Sequence, residues 1–240
     1  MPSTFFLQPH VFLCRAKRHW VILDVDRDKY LCVDRRQFET LGPWLHGWKE
    51  TTAEGGRIAS APSDVAVALA NKLLGIEILS ERAEDAKDAR PTDYPLPTDS
   101  LDLDLPQGSR RSSCIHALSF FLSSARASRQ LCNQCFKSTI AFVRGRKHRK
   151  RDPARPFDIE RAHSFVAVFN SLRLFYPRPY QCLFDSLALI HFLARFGIYP
   201  DWVFGVTADP FEAHCWVQAD SVVLNDTIER VSAFTPIMYL

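Results

Sequence analysis

Three residues in the last third of the chain have the types and the order that nucleophilic catalysis by a thiol requires: Cys182, His214 and Asp226. A cysteine nucleophile needs a thiolate, a base that generates it and a group that orients the base. Cys182 opens an apolar run that continues to Phe196 and predicts a buried helix ending at Gly197. The amides and dipole of a helix N-terminus lower the pKa of a thiol and stabilise an oxyanion. The pattern therefore predicts acyl chemistry with Cys182 as the nucleophile.

Three β-prone runs follow this helix and must carry the other two side chains: residues 202–206, 213–218 and 222–226. A three-residue hairpin loop at residues 219–221 pairs Gln218 with Val222. In that register His214 lies directly opposite Asp226, with Cβ atoms about 4.5–5.5 Å apart. Asp226 is therefore predicted to orient His214, which acts first as general base and then as general acid.

Two alternatives stay open for these residues. A slip of one residue in the hairpin would place Asn225 opposite His214 and make Asn225 the orienting group. Taken singly, a cysteine at a helix start, a half-buried histidine and an aspartate at a strand end all have structural explanations. Their joint order favours a triad, because papain-like and transglutaminase-like thiol enzymes share it.

The first 80 residues predict a compact α+β unit. Short apolar runs at residues 11–14, 20–25 and 30–33, with turn residues at 26–28, predict a three-stranded antiparallel sheet. Asp34 is predicted to cap a first helix. Ser63 is predicted to cap a second helix that ends at Gly75. The stripe of this second helix predicted to face the core consists of Val65, Leu69, Leu73 and Ile76.

The charge of the chain is unevenly distributed, although its net value is only +3. Residues 80–104 have a net charge of −5, and residues 110–151 have a net charge of +11. The second stretch ends in the basic run 144–151. Such a block can bind nucleic acid or an acidic peptide, or fold back on the acidic stretch. We favour a solvated basic face. The proline-rich acidic stretch at residues 81–113 predicts a semi-extended, mobile linker.

Several classes of protein are disfavoured by composition. No apolar stretch reaches the roughly 18 residues of a membrane span, and the first residues lack the basic region of a secretory signal. Seven scattered cysteines favour reduced thiols, so we expect a cytoplasmic protein. Cys132 and Cys135 have the spacing of metal ligands but lack a second pair, and no glycine-rich phosphate motif is present. We therefore expect neither a metal nor another cofactor.

The motifs around the three residues resemble those of the lasso-peptide biosynthesis B protein. The resemblance rests on the run 182–189, on Gly205-Val206, on residues 210–217 and on residues 223–226. It implies a transglutaminase-like cysteine peptidase that removes the leader from a ribosomally made precursor, with Cys182, His214 and Asp226 as its triad. This chain has Gln218 where that family often has Glu, which we expect to affect an accessory contact and not the triad.

The N-terminal unit resembles the PqqD-like recognition element that precedes the peptidase in many members. The implied α+β architecture is a small winged-helix-like recognition domain at 1–80, a linker at 81–113 and a transglutaminase-like, papain-like peptidase domain at 114–240. The implied partners are the precursor peptide, leader and core, and an ATP-dependent, asparagine-synthetase-like lasso cyclase. We expect the leader to add as a strand beside residues 30–33. The residues predicted to contact the leader are Tyr30, Leu31, Val33, Leu69 and Leu73.

Two other functions remain open. The first is a transglutaminase-like acyltransferase, in which an amine instead of water resolves the thioester. The second is a non-catalytic protein that binds a leader or nucleic acid through its winged-helix-like N-terminus and basic segment. For Leu69 and Leu73 the alternative is a purely structural place in the core.

Overall fold

The computed structural model describes residues 4–48, 63–84, 87–101, 113–150 and 157–240. Parts of the predicted acidic stretch, residues 85–86 and 102–104, and of the basic stretch, residues 110–112 and 151, lie outside the described residues. The chain forms two compact units. The first comprises Met1–Asp93 with Val206–Glu212, and the second comprises Tyr94–Gly205 with Ala213–Leu240.

The first unit is built on a three-stranded antiparallel sheet in the order β2-β3-β4. Its strands are β2 (Val11–Ala16), β3 (His19–Asp24) and β4 (Lys29–Asp34), while β1 (Phe6–Leu7) pairs separately with β5 (Leu79–Ser80). The carboxylate of Asp24 accepts the amides of Asp26 and Arg27 in the turn before β4. The predicted three strands and their turn are therefore confirmed.

Hydrogen bonding at the end of this sheet shows which amides of the edge strand β4 face outward. The amide of Arg35 donates to the carbonyl oxygen of Arg18 at 3.0 Å, which continues the β3–β4 register by one pair. Inward and outward amides alternate along an antiparallel strand. The amide of Leu31 therefore faces β3, and those of Tyr30 and Cys32 face outward.

Two helices supply the rest of the first core. In α1 (Arg35–Leu41) the Asp34 carboxylate caps the amides of Arg36 and Gln37, and in α2 (Asp64–Gly75) the Ser63 hydroxyl caps Ala66. Both predicted caps and the end at Gly75 are confirmed. The predicted core-facing stripe of α2 is confirmed for Leu73 and Leu69, which are buried in or packed on the core, and wrong for Val65 and Ile76, which are exposed. The buried residues of α2 are Ala66, Ala70 and Leu73. Two small alanines allow the helix to approach its neighbours closely.

Part of the predicted linker belongs to the folded structure. In the first unit the amide of Ala89 donates to His46 at 2.7 Å, and the amide of Thr92 donates to Leu13 at 2.9 Å. In the second unit β6 (Asp99–Ser100) pairs in parallel with β9 (Val222–Val223). The expectation of a mobile linker is therefore wrong for residues 87–101. An extended, proline-rich segment still has backbone groups that can bond to its surroundings.

The second unit combines four long helices with a five-stranded sheet. The helices are α3 (Cys114–Asn133), α4 (Phe136–Lys150), α5 (Ile159–Arg173) and α6 (Cys182–Arg195). The sheet has the order β10-β7-β8-β9-β6, with β7 (Asp201–Ala208), β8 (Phe211–Ala219) and β10 (Thr235–Tyr239), and α7 (Ile228–Val231) precedes β10. Every residue of α6 from Phe184 to Leu193 is buried, as its apolar sequence predicts. None of the helices in the described segments is long and apolar enough to cross a membrane.

The basic run is only partly a solvated face. Residues 144–150 form the end of α4, and His148, Arg149 and Lys150 are exposed. In contrast, Arg146 bonds to His191 Nδ1 at 3.0 Å and to a main-chain oxygen of α6. Lys147 bonds to Asp201 and to the carbonyl of Leu240. These two cations therefore tie α4 to the rest of the second unit.

Candidate active site

Cys182 is the first residue of α6, as the sequence predicts. The preceding residue, Gln181, is extended, and its side chain does not cap the helix. The first amides of a helix have no acceptor within it, so the first turn of α6 presents N–H groups and a positive dipole end beside the thiol. The thiol itself is partly exposed and therefore open to a substrate.

A partly buried ion pair fixes the loop that leads to Cys182. The guanidinium of Arg173, at the end of α5, bonds to the carboxylate of Asp185 in α6. It also donates to the carbonyl oxygens of Tyr176 at 3.2 Å and of Arg178 at 2.9 Å. Asp185 in turn accepts the amide of Gln181 at 2.7 Å. The residue before the nucleophile is thus held by charge-assisted bonds.

His214 and Asp226 are in direct contact. The Nε2 atom of His214 lies 2.6 Å from Oδ2 of Asp226, and both side chains are buried. The same imidazole lowers the pKa of the Cys182 thiol, and the thiol in turn raises the pKa of the ring. Because Nε2 is engaged by Asp226, Nδ1 is the ring nitrogen left for the thiol. The structure therefore brings the three predicted residues together.

The register behind this contact differs from the predicted one by one residue. Gln218 pairs with Val223, and Ala219 pairs with Val222, so the turn contains two residues instead of three. Continued regularly, this register would place Asp226 opposite Cys215. The strand instead ends at Val223, and the chain bends over residues 224–226. The partner was predicted correctly, but for a wrong reason.

The side chain of Asn225 ends the strand. Leu224 donates its amide to the carbonyl of Val217, but the amide of Val217 donates to Oδ1 of Asn225 at 2.7 Å. A side-chain oxygen thus takes the place of a strand carbonyl and lets the backbone turn away. The Nδ2 group of Asn225 donates to Ser186 Oγ at 3.0 Å. Asn225 therefore joins β8 to α6 and does not orient His214.

The buried amide side chain of Gln218 holds Trp216, which in turn packs against the imidazole of His214. Oε1 of Gln218 accepts the indole N–H of Trp216 at 2.8 Å, and its Nε2 donates to the carbonyls of Pro95 and Asp220. The ring of Trp216 stacks beside His214, with centroids 6.1 Å apart. Two donated hydrogen bonds and one accepted hydrogen bond require an amide. Glutamine therefore fits position 218 better than the glutamate that the lasso-peptide biosynthesis B proteins often have there.

A close approach of backbone and ring explains Gly205 on β7. A Cβ atom at this position would lie 2.8 Å from the ring of Trp216 and 2.9 Å from Cβ of Phe234. The ring of Phe234 also contacts His214, with centroids 5.0 Å apart. Only glycine at this position leaves Trp216 and Phe234 in place. Both of these side chains pack against the imidazole of His214.

The charges of the site favour an ion pair. Hydrogen bonds from Cys215 and His214 lower the pKa of the Cys182 thiol to about 4, against the opposing effect of burial. Burial acts to lower the pKa of His214, but bonds and charges of Asp226 and Cys182 outweigh it and raise this pKa to about 9. Burial also opposes ionisation of Asp226, yet His214 and the amide of Thr227 hold its pKa below the usual value. Between a pH of about 4 and a pH of about 9 these pKa values favour a thiolate, an imidazolium and a carboxylate in the site.

The residues predicted to bind a leader all lie in the first unit. Val33 and Leu73 are core residues with 6% and 0% of their surface exposed, so their side chains offer a leader little surface, and their contact with a leader stays a prediction. Alternation along β4 turns Val33 toward the helices, and Leu73 lies on the buried side of α2. Leu31 and Leu69 pack on the same core but keep part of their surface exposed, and Tyr30 is half-buried.

Cys132 and Cys135 do not form part of a metal site among the described residues. Both thiols are exposed at the junction of α3 and α4, and Cys135 Sγ lies 3.1 Å from Ser138 Oγ. A search of the described ranges finds no group of three or more His, Cys, Asp or Glu side chains that could hold a metal ion.

Comparison with known families agrees with the geometry of the second unit. The family model described as the transglutaminase-like superfamily matches residues 115–239, which is more than half of the chain. The chain therefore belongs to the transglutaminase-like superfamily, whose members are generally cysteine peptidases or acyltransferases. Searches of curated proteins and of solved structures found no match.

Arg173 and Asp185 are site residues that sequence reasoning missed. The run that carries the resemblance includes Asp185, but nothing in its spacing indicates a partner twelve residues earlier. A signal was nevertheless present. A carboxylate on the apolar side of a buried helix needs a partner. Arg173 is a basic residue at the end of the preceding helix.

Proposed function

We propose that this chain is a cysteine endopeptidase that binds a ribosomally made lasso-peptide precursor through its leader and cleaves the leader from the core. The observation that carries the proposal is the 2.6 Å bond between His214 and Asp226, together with a thiol at the start of α6 whose pKa this imidazole lowers. This arrangement supplies a nucleophile and a proton donor in one buried, polar cluster.

The reaction follows from the protonation states of the site. The Cys182 thiolate attacks the carbonyl carbon of the scissile peptide bond, and first-turn amides of α6 stabilise the oxyanion. The imidazolium of His214 gives its proton to the leaving amine, which leaves a thioester on Cys182. Neutral His214 then removes a proton from water, which hydrolyses the thioester. Asp226 keeps the ring oriented and stabilises its charged form.

The first unit is the proposed leader-binding element, similar to a PqqD-like, winged-helix-like domain. Its edge strand β4 directs the amide of Cys32 outward, where an extended peptide can add as a further strand. Leu31 and Leu69 offer apolar surface for leader side chains. The freed core would pass to an ATP-dependent, asparagine-synthetase-like cyclase that forms the lactam.

The decisive experiment uses the full chain and the peptide encoded by a short reading frame beside its gene. Mass spectrometry should show two products, the leader and the core, whose masses sum to the precursor plus one water. The Cys182→Ala variant should give no product, because alanine has no sulfur with which to form the thioester. Cys114→Ala is the matched control, since Cys114 is also the first residue of a helix but is exposed.

Three outcomes would overturn the proposal. Cleavage retained in the Cys182→Ala variant would exclude the nucleophile. A product in which an added amine has replaced water would identify an acyltransferase. Tight but unproductive binding of the peptide, or salt-dependent binding of duplex DNA without cleavage, would identify a binding protein.

A further inference from the structure

A buried histidine on α6 has no part in the mechanism described above. His191 has 2% of its surface exposed and lies in the second half of the helix that begins at Cys182. Its Nδ1 atom lies 3.0 Å from Nη1 of Arg146 in α4, and its Nε2 atom contacts Oε1 of Gln130 in α3. One imidazole therefore joins three helices.

The chemistry of the two partners fixes the protonation of this ring. A guanidinium can only donate hydrogen bonds, so Nδ1 of His191 accepts from Arg146 and carries no proton. The single ring proton is on Nε2, which donates it to the side-chain oxygen of Gln130. Both ring nitrogens are thus engaged, and the imidazole is neutral.

The surroundings of the ring are cationic. Arg146 also donates to the carbonyl oxygen of Ile190 at 3.3 Å, which fixes its guanidinium beside the imidazole. The ring of Phe142 lies 6.0 Å from that of His191, and Cζ of Arg126 lies 4.3 Å from the centre of the Phe142 ring. The charged groups that act on His191 are therefore Arg146 of α4 and Arg126 of α3. Neither of these helices contains Asp or Glu.

We propose that His191, Arg146 and Gln130 form an acid-sensitive clamp, which opens when the imidazole gains a second proton and the end of α4 loses its attachment to α6. A proton on Nδ1 would direct an N–H group at the N–H groups of Arg146. This contact is repulsive, because it brings together two donors and two positive charges. The inference goes beyond the proposed function and does not depend on it, since no group of the catalytic site takes part.

The clamp stabilises the second unit at neutral pH and weakens it in acid. Burial and the charges of Arg146 and Arg126 lower the pKa of His191 to about 3. A histidine in an unfolded or released segment has a pKa of about 6.5. Between these two values a proton binds the released state more readily than the folded state. The contribution of His191 to stability is therefore complete above pH 6.5 and is lost progressively as the pH falls toward 3.

The first test is chemical denaturation of the full chain at two pH values, without substrate. Lowering the pH from 6.5 to 4.5 should raise the equilibrium constant of unfolding about fiftyfold more in the unchanged chain than in His191→Asn. Asparagine keeps an oxygen that can accept from Arg146 but has no group that titrates in this range. His148→Asn is the matched control, because His148 is exposed on α4, and it should respond as the unchanged chain does.

Hydrogen exchange locates the opening within the second unit. After correction for the intrinsic rate, the amides of residues 143–150 should exchange about tenfold faster at pH 5 than at pH 6.5, relative to those of α5. The His191→Asn variant should not show this difference. A purely global loss of stability would instead accelerate exchange in α4 and α5 together.

Three results would overturn the inference: an equal response to pH in the unchanged chain and in a folded His191→Asn variant, a reduced response in His148→Asn, or equal acceleration of exchange in α4 and α5. If His191→Asn does not fold, an NMR titration of the unchanged chain decides. The ring resonances of His191 should remain those of a neutral imidazole from pH 7.5 to pH 5. A titration of this ring within that range would show that the clamp does not hold it neutral.

Discussion

The sheet of the first unit and the hairpin of β8 and β9 are both antiparallel pairings, but they differ in how far the pairing extends. β2, β3 and β4 are six residues long and are paired throughout. β9 is paired with β8 over only two residues before the chain bends. In the first case backbone groups bond to backbone groups, whereas in the second the side chain of Asn225 takes one of the strand positions.

The difference corresponds to different uses of a strand. A fully paired sheet ends in a regular edge with evenly spaced outward amides, which suits a ligand that is itself a strand. Where strand pairing stops at a defined residue, the backbone is free to bend there. The next side chain can then contact a residue that it would not face in a regular strand pair. The contact between Asp226 and His214 depends on this release.

The largest effect is expected at Asp226, whose carboxylate follows the short pairing of β8 with β9. Asp226→Ala should lower kcat for precursor cleavage by about 10²–10⁴-fold, because His214 loses the group that orients it and stabilises its charge. In the unchanged chain, activity should fall below a pH of about 4, where Cys182 is protonated, and above about 9, where His214 loses its proton. The alkaline limb should move to lower pH in the variant. A variant with an unchanged rate and an unchanged alkaline limb would contradict the assignment.

A smaller effect is expected at Gln218, which pairs with Val223 between β8 and β9. Gln218→Glu should lower the free energy of unfolding by about 2–4 kcal/mol at neutral pH, because two donated bonds to carbonyl oxygens are lost. Burial among these oxygens raises the pKa of the introduced carboxyl above its unfolded value near 4.3. The deficit should therefore be smallest below that pH and grow as the pH rises.

Chemical denaturation at several pH values measures this deficit. Gln134→Glu is the matched control, because Gln134 is exposed at the junction of α3 and α4. It should change stability by less than about 0.5 kcal/mol. An equally stable Gln218→Glu variant would show that the amide donors of Gln218 contribute nothing.

The bend itself is tested at Asn225. Asn225→Ala leaves the amide of Val217 without its acceptor, which should cost about 1–3 kcal/mol in the free energy of unfolding. Displacement of Asp226 should also lower kcat by about tenfold. Asn225→Asp keeps the acceptor oxygen and should retain more activity than the alanine variant. Equal activities in all three proteins would show that the bend forms without this side chain.

The smallest effect is expected at the regular edge of the first sheet. Cys32→Pro removes one outward amide and should weaken binding of the leader peptide by about fivefold, the equivalent of one hydrogen bond. Cys32→Ala keeps the amide and serves as the control. Fluorescence anisotropy of a labelled leader with the full chain measures both. Leu31→Pro does not test the edge, because its amide faces β3 and its loss would break the sheet. Unchanged affinity in a folded Cys32→Pro variant would place the leader elsewhere.

Features that depend on local sequence could be predicted. Short apolar runs indicated β2, β3 and β4, single side chains indicated the caps at Asp34 and Ser63, and a longer apolar run indicated α6. The same logic placed Cys182 at a helix start. Each of these features depends on neighbours within a few residues, so the chain itself contains the signal.

Features that depend on specific long-range bonds could not be predicted. The ion pair of Arg173 and Asp185 joins two helices, and the amide of Asn225 joins a bend to a helix. No periodicity indicates such contacts. Two members of the predicted stripe of α2, Val65 and Ile76, are exposed for a related reason. The buried face of this helix includes Ala66 and Ala70 beside Leu73, and the size of the aliphatic residues alone does not indicate this face.

The parallel pairing of β6 with β9 has a consequence for the order of folding. The carbonyl of Pro95, just before β6, accepts the side chain of Gln218 across 123 residues of sequence. Closing a loop of this length is entropically costly, so contacts within the helices and the first sheet are expected to form earlier. The edge of the hairpin of β8 and β9 is then completed last. A chain still being synthesised is therefore expected to close this sheet edge only after both ends of the pairing have left the ribosome.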